Sequence, residues 1–489
     1  MSLKHPVIIG CCLLFWCASC SDYLNEDLSS RITFDNEQFN TEAGLLAALV
    51  GTYKPMSHTW WSGYGNISVL GVLMGSDDLT TSKKSGKAWR MEFDWFRVDE
   101  NNQALSYIWN GAYQSIRGAN LIIANYSKTT GNPEIINQIA GEAYFLRAYN
   151  YFWIARLWGD APLMLESHQY QEGDLIASCT PVAGIYAQIV EDLKMAGELM
   201  GHTKPQPGRV CKGTAKAILA EVYLHMAGWP LNDASCYALA AAKAREVIEN
   251  EDLYGFGLME DFGHLWPDSL SNFDGNKEEV FALNFWGGEW WNCNALYGLA
   301  ARPAGKEGWG DFMAELTFFN DFPGGYRKEI TFLTELEDGT PWQEFRHDPR
   351  PHYRKMVGPA PEWQNAISLP LERMAEVYLV FAEARVMATG NPKDPDALEA
   401  VNKIVRRGAG LPVNTPDPSV DWTEATQDDI VQEKAWEFAG EYCRWFDLVR
   451  LQMVEEVVAR KDPDDLQPRG PIRYFMPYPA SDAHLYPKI

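Results

Sequence analysis

The sequence predicts a mostly α chain: degenerate tetratricopeptide-like helical repeats interrupted by long, loop-rich insertions. Three observations carry this. Apolar residues recur at helical spacing over most of the chain. The string Ala220-Glu221-Val222-Tyr223-Leu224 returns letter for letter as Ala375-Glu376-Val377-Tyr378-Leu379. Two stretches, 57–100 and 255–365, set tryptophans among Gly, Ser and Asp with no helical period.

The chain opens on a leader. An apolar run from Val7 to Trp16 follows Lys4 and His5 and ends in Cys17-Ala18-Ser19-Cys20. It is too short to span a bilayer. Residues 1–19 therefore read as a secretory signal peptide, with Cys20 as the lipidated first mature residue. Cys17 stands where leucine is usual in such a cleavage site.

Helices follow in order. Glu42, Leu45, Leu46, Leu49 and Tyr53, after Thr41, give a first helix stopped near Pro55. The second spans about 103–124, with Trp109, Tyr113, Ile116 and Asn120 on one face. The third is capped by Asn132, starts on Pro133 and ends at Gly159. At 1.5 Å per residue it is roughly 39 Å long. A fourth runs from Thr180-Pro181 to Gly201, a fifth over about 212–227 and a sixth over about 233–250. The last three cover about 371–389, 395–407 and 428–457, broken at Gly390 and Gly408. Each copy of the repeated string lies in the first helix of a pair. Its small residues admit a partner helix while Tyr and Leu fill the gaps, as in stacked helical repeats. Trp153, Trp158, Trp436 and Trp445 are assigned to the core.

Composition narrows function. Apolar residues make up 46% of the chain, enough for a large core, and net charge is −24. The leader removes only Lys4 from the 42 Lys and Arg, so the mature chain sets 41 against 66 acidic residues, or −25. Such a balance excludes nucleic acid, which needs a basic footprint. A neutral ligand such as a sugar is not penalised. No second apolar stretch reaches the length of a membrane span. Cys179, Cys211, Cys236, Cys293 and Cys443 are widely spaced and odd in number, so they do not read as a disulfide scaffold, and one bridge among them stays open.

Catalytic signatures are missing. HExxH, GxSxG, P-loop and GxGxxG patterns are absent, and the histidines show no metal-ligand pairing. Asp77-Asp78 and Glu278-Glu279 are the adjacent acids a glycosidase could draw on, and Asp77-Asp78 could also meet calcium. In a chain with 66 acids such neighbours are usually solvated or capping residues. No catalytic residue, cofactor or resident metal is expected. The positive signal is aromatic: indole faces stack on the apolar side of a pyranose while nearby carboxylates and amides bond its hydroxyls. Candidate ligand residues are Trp60, Trp61, Asp77, Asp78, Trp89, Trp286, Trp290, Trp291 and Trp309. In an extended segment, neighbours such as Trp290 and Trp291 point to opposite faces, so at most one of each pair meets ligand.

These residues also carry a family resemblance. Cys20-Ser21-Asp22-Tyr23-Leu24 resembles the lipidated start of SusD/RagB-type nutrient-binding lipoproteins. Trp109, Tyr113, Ile116 and Asn120 resemble their W-x3-Y-x2-I-x3-N helix. The run Glu142 to Phe152, followed by Gly159-Asp160-Ala161-Pro162-Leu163, resembles their most recognisable stretch. Gly208-Arg209, Asp348-Pro349-Arg350, and Arg373-Met374-Ala375-Glu376-Val377 with Ala382-Glu383-Ala384 fit further blocks. Glu433, Glu437-Phe438, Gly440-Glu441, Arg444 and Asp447 to Arg450 fit E-x3-E-F-x-G-E-x2-R-x-x-D-L-x-R, and Met476-Pro477-Tyr478-Pro479 resembles the closing L-P-I-P. Met374 departs from a usual Tyr, and Lys434-Ala435 from an Arg pair. The resemblance implies one domain over 20–489, with an N-terminal part to about 205 and a C-terminal part from about 206. It implies about four helix pairs, a lipid anchor at the outer-membrane surface, and a SusC-like TonB-dependent transporter as partner. It implies oligosaccharide ligands, with peptide as the alternative. The helical motifs are scaffold, so no ligand residue is carried over from them.

Overall fold

A computed structural model of the chain describes residues 37–57, 72–84, 88–166, 179–266, 276–285, 293–294, 296–305, 308–357 and 366–483. The leader with Cys20, and Trp60, Trp61, Trp286, Trp290 and Trp291, lie outside these residues.

The helices stack as four pairs. α1 (Glu42–Ser57) is followed by a short α2 (Ala88–Asp94) and by α3 (Gln103–Asn125), on which α1 packs. α4 (Pro133–Trp158) pairs with α5 (Val182–Leu199), and α6 (Lys212–Ala227) with α7 (Cys236–Ile248). After α8 (Leu316–Asp321), α9 (Met374–Thr389) pairs with α10 (Pro395–Gly408). Neighbouring pairs touch through α3–α4, α5–α6 and α7–α9. Both copies of the repeated string sit in the first helix of a pair, α6 and α9, as the sequence predicts.

Local chemistry explains the boundaries. The Asn132 side chain accepts the Glu134 amide at 2.9 Å, Pro133 opens α4, and Gly159 closes it at φ +71°. Within α4, a Cβ on Gly141 would come within 2.6 Å of Met200 Cγ, so glycine lets the end of α5 approach. Arg147 binds Asp192 through two hydrogen bonds of 2.7 and 2.8 Å and also donates to Asn120 at 2.8 Å. One guanidinium thus ties α3, α4 and α5 together.

The last expected helix, 428–457, is three: α11 (Gln427–Glu437), α12 (Arg444–Arg450) and α13 (Val454–Ala459). The break falls at Gly440, whose φ of +78° suits glycine and whose missing Cβ leaves room for the Tyr353 ring. Residues 371–373, expected as helix, are strand instead.

Eight short strands are described: β1 (Leu79–Thr80), β2 (Ala161–Pro162), β3 (Cys179–Thr180), β4 (Glu279–Leu283), β5 (Met313–Ala314), β6 (Phe332–Leu333), β7 (His352–Tyr353) and β8 (Leu369–Arg373). They pair antiparallel as β1–β5, β2–β3, β4–β8 and β6–β7. The β1–β5 ladder joins the two long insertions, which sequence periodicity leaves separate.

Beneath β4–β8 lies a buried ionic network. Glu437 accepts from Arg373 (3.0 Å), Arg407 (2.8 Å) and Arg327 (3.3 Å). Arg373 and Arg407 both reach Glu278, Arg373 and Lys355 reach Glu441, and Arg327 reaches Glu433. Glu278, one of the adjacent acids the sequence offers, is therefore a structural anion, and Glu279 pairs with Lys204. Cys179, Cys211, Cys236 and Cys443 are free thiols. Among the described residues no helix is long and apolar enough to cross a membrane.

Burial alone would raise the Glu437 carboxyl, but Arg407, Arg373 and Arg327 outweigh it and hold it at about 2. A depressed carboxyl contributes stability above its unfolded value, near 4.5, and loses that contribution as pH falls toward 2. Replacing Glu437 by Gln should cost about 3–5 kcal/mol at pH 7, because buried guanidinium groups lose their anion. In denaturant unfolding, the gap between variant and wild type should shrink steadily below pH ~4.

Candidate functional site

The candidate face is built where the two insertions meet. Residues 76–82 run into β1, pair with β5, and return through α2. Arg90 of α2 is fully buried and ion-pairs with Asp311. Its guanidinium lies 4.7 Å from the Trp89 ring and 4.9 Å from Phe312. Asp311 is two residues from Trp309, whose amide donates to Leu299 at 2.8 Å, while the Asp311 amide donates to Ala300. One buried pair therefore clamps together the segments that carry Trp89 and Trp309. Both indoles are half-buried against the core.

The two candidate aspartates differ. Asp77 is held by Arg444 through bonds of 2.6 and 2.7 Å. Burial pushes its carboxyl up, but Arg444 outweighs this and holds it below the usual range. Asp77 keeps an outlet: with Glu315, Asp321, Gln432, Trp436 and Arg460 it lines a cavity of about 230 Å³. Asp78 has none. It is 1% exposed, and its carboxylate accepts from the Ser76 hydroxyl and, at 2.8 Å, from the Gly440 amide. Burial, with Asp77 alongside, pushes it up to about 6. Asp78 is thus corrected from ligand contact to a structural acceptor that joins the first insertion to the α11–α12 turn.

The chain then leaves α2 along a larger groove. Residues 96–101 form one wall and 469–478 the other, with Trp229, Gln452, Glu455 and Ala483 completing a volume of about 1380 Å³. The walls meet where the amides of Arg469 and Gly470 donate to the Trp95 carbonyl at 2.9 and 3.0 Å. Arg469 lies over the Trp95 ring at 4.2 Å. Trp229 packs edge-on to Tyr474 at 5.1 Å and tilted on Phe475 at 4.6 Å. Phe96 and Gln452, both lining residues, hold positive φ of 51° and 57°. Strain of this kind, of order 1–3 kcal/mol per residue, concentrates at functional sites. Arg97, Arg469 and Arg473 stand among Asp99, Glu100 and Glu455, so aromatic walls alternate with polar groups.

Sequence reasoning included the start of this groove in 57–100 but missed Trp229 and residues 469–475. The aromatic run Tyr474-Phe475-Met476-Pro477-Tyr478 was the available signal. Nothing in the sequence brings Trp229, over 200 residues away, beside it.

Helix pairs stacked into a scaffold, with long insertions clamped together by buried ion pairs, define a helical-repeat protein. Known proteins agree. A family profile described as "Starch-binding associating with outer membrane" matches residues 22–224, and one described as "SusD family" matches 340–467. SusD-like protein P2 of Formosa agariphila is 28% identical over 98% of this chain and 97% of its own length. A SusD homolog of Bacteroides thetaiotaomicron superposes with a TM-score of 0.78 at 19% identity, over 92% of this chain and 97% of that one. A laminarin-binding SusD-like protein superposes with a TM-score of 0.75 at 22% identity, over 92% and 99%. The chain belongs to the SusD/RagB family.

Asp311→Asn should leave the Arg90 charge buried without its counter-ion, at a cost of about 3–5 kcal/mol. Denaturant unfolding should report it, with near-ultraviolet circular dichroism showing altered Trp89 and Trp309 environments.

Proposed function

We propose that the protein captures oligosaccharides at the outer-membrane surface and passes them to a SusC-like TonB-dependent transporter, without chemistry on the ligand. The observation that carries this reading is the open, aromatic-walled groove of about 1380 Å³ that continues from the helix bearing Trp89. It exceeds the roughly 300–1,000 Å³ typical of small-molecule pockets and suits an extended chain of rings. Indole and phenol rings offer stacking faces. Arginine, carboxylate and asparagine groups at its rim match hydroxyl donors and acceptors. A deep pocket rich in backbone-bonding groups would favour peptide; an open aromatic groove favours sugar. Family membership and a laminarin-binding relative in fold point the same way.

Binding rather than catalysis is supported by the fate of the adjacent acids. Asp77 and Asp78 serve Arg444 and Gly440, and Glu278 serves Arg373 and Arg407. The single domain over 20–489 is lipid-anchored through Cys20. Trp60, Trp61, Trp286, Trp290 and Trp291, outside the described residues, are further ligand candidates by sequence alone.

A glycan array probed with the soluble domain starting after Cys20 should give selective binding to one oligosaccharide class and no cleavage products. Alanine at Trp89, Trp309, Trp290 or Trp291 should weaken the selected glycan by about 1–3 kcal/mol where a ring is lost from the site, by analogy with base stacking. Thermal unfolding should move little for Trp290 and Trp291. Cleavage of the bound glycan, or affinity indifferent to all four substitutions, overturns the reading. Separately, Cys20→Ala should move the protein from the membrane fraction to the soluble fraction; retention in the membrane refutes the anchor.

A further inference from the structure

The repeated string does more than mark the helix pairs. Glu221 of α6 and Glu376 of α9 hold the same place in it. The fold brings these two carboxylates together and adds a third, Glu372 of β8. Oxygens of the three lie within 4.8 Å of one another. All three residues are buried, Glu372 at 2% exposure. Neither Glu372 oxygen has a hydrogen-bond partner among the described residues. An unpartnered buried carboxylate is among the costliest groups a core can hold.

The surrounding charges do not balance. Glu221 pairs with Arg156 at 2.8 Å. Glu376 pairs with Lys434 at 2.8 Å, and Lys434 also reaches Asp447 at 3.1 Å. Arg450 pairs with Asp447 at 2.8 Å and with Glu383 at 2.6 Å. Five carboxylates (Glu221, Glu372, Glu376, Glu383, Asp447) thus face three cations (Arg156, Lys434, Arg450). The shortfall of two positive charges equals one divalent cation. Softer donors stand beside the cluster. His225 Nε2 is 3.6 Å from a Glu221 oxygen, and Cys443 Sγ is 3.3 Å from a Glu376 oxygen. Calcium prefers six to eight oxygens, and magnesium keeps several waters. A dry site with few carboxylates and nearby imidazole and thiol suits zinc.

We propose that Glu221, Glu372 and Glu376 hold one occluded zinc-class divalent cation that pins the third helix pair to the fourth. The ion bridges α6, β8 and α9, three elements that belong to the scaffold and not to the ligand face. It acts as a structural staple, stabilising the folded chain by mass action. Its competitor is a proton shared between Glu372 and Glu376.

The test uses untagged protein. Metal analysis of the purified wild type should find close to one equivalent of zinc per chain. Dialysis against a chelator should lower Tm by several degrees, and zinc chloride alone should restore it, with calcium and magnesium chloride failing to do so. Glu372→Gln, which keeps the shape and removes the charge, should abolish both stoichiometric zinc and the zinc-dependent rise in Tm. Substoichiometric metal in the wild type, a Tm indifferent to chelator and zinc, or equal zinc content in Glu372→Gln overturns the proposal. If Glu372→Gln does not fold, the chelation and refilling of the wild type decide alone.

Discussion

The buried charge network around Glu437 is the constraint on which the architecture rests. Three guanidinium groups, from Arg327, Arg373 and Arg407, converge on one carboxylate with no solvent to screen them. Such groups cannot be buried singly. Removing a charge from water costs several kcal/mol, returned only when every donor finds an acceptor in good geometry. Here Glu278, Glu433 and Glu441 supply further acceptors, and Arg407 Nε is left without a hydrogen-bond partner among the described residues. The partners come from distant parts of the chain: the second insertion, β8, α10, α11 and the turn that follows it. Satisfying the charges therefore fixes how the insertions sit on the fourth helix pair.

The same logic operates wherever a loop meets the scaffold. Lys461 is buried against Asp94 of α2, Arg444 against Asp77, and Arg90 against Asp311. Each pair links an insertion residue to a partner far along the chain. Two-residue ladders such as β1–β5 carry little stability by themselves. The ion pairs add the specificity that short strands lack, and they place Trp89 and Trp309 on a common support. Rings held rigidly in this way are ordered before any contact forms, which lowers the entropy cost of stacking on them.

The scaffold's apolar logic is simpler. Helices such as α3 and α5 bury one face, while α4, α6 and α9 are buried on nearly every side. Within a pair, a small residue such as Gly141 lets the partner helix approach, and Ala220 and Ala375 are buried in their helices. Because each pair contacts mainly its neighbours, insertions of 50 or 100 residues between helices disturb the stack little. The two large insertions are therefore accommodated without interrupting the stack.

The sequence by itself determined most of the long helices. Asn132-Pro133 and Gly159 bound α4 because capping and helix-breaking are local chemistry. The repeated string marked the first helices of two pairs, and ordered motifs placed the chain in its family. Tertiary structure decided everything that depends on contacts across the chain. It withdrew Asp78 from the surface, broke 428–457 at Gly440 to seat Tyr353, and set Trp229 against Tyr474 and Phe475 across a groove. It also turned two copies of one glutamate into neighbours. Local spacing fixes a helix because its hydrogen bonds close within four residues. A buried carboxylate or a groove wall is fixed by partners hundreds of residues distant, and no local pattern records which partner arrives.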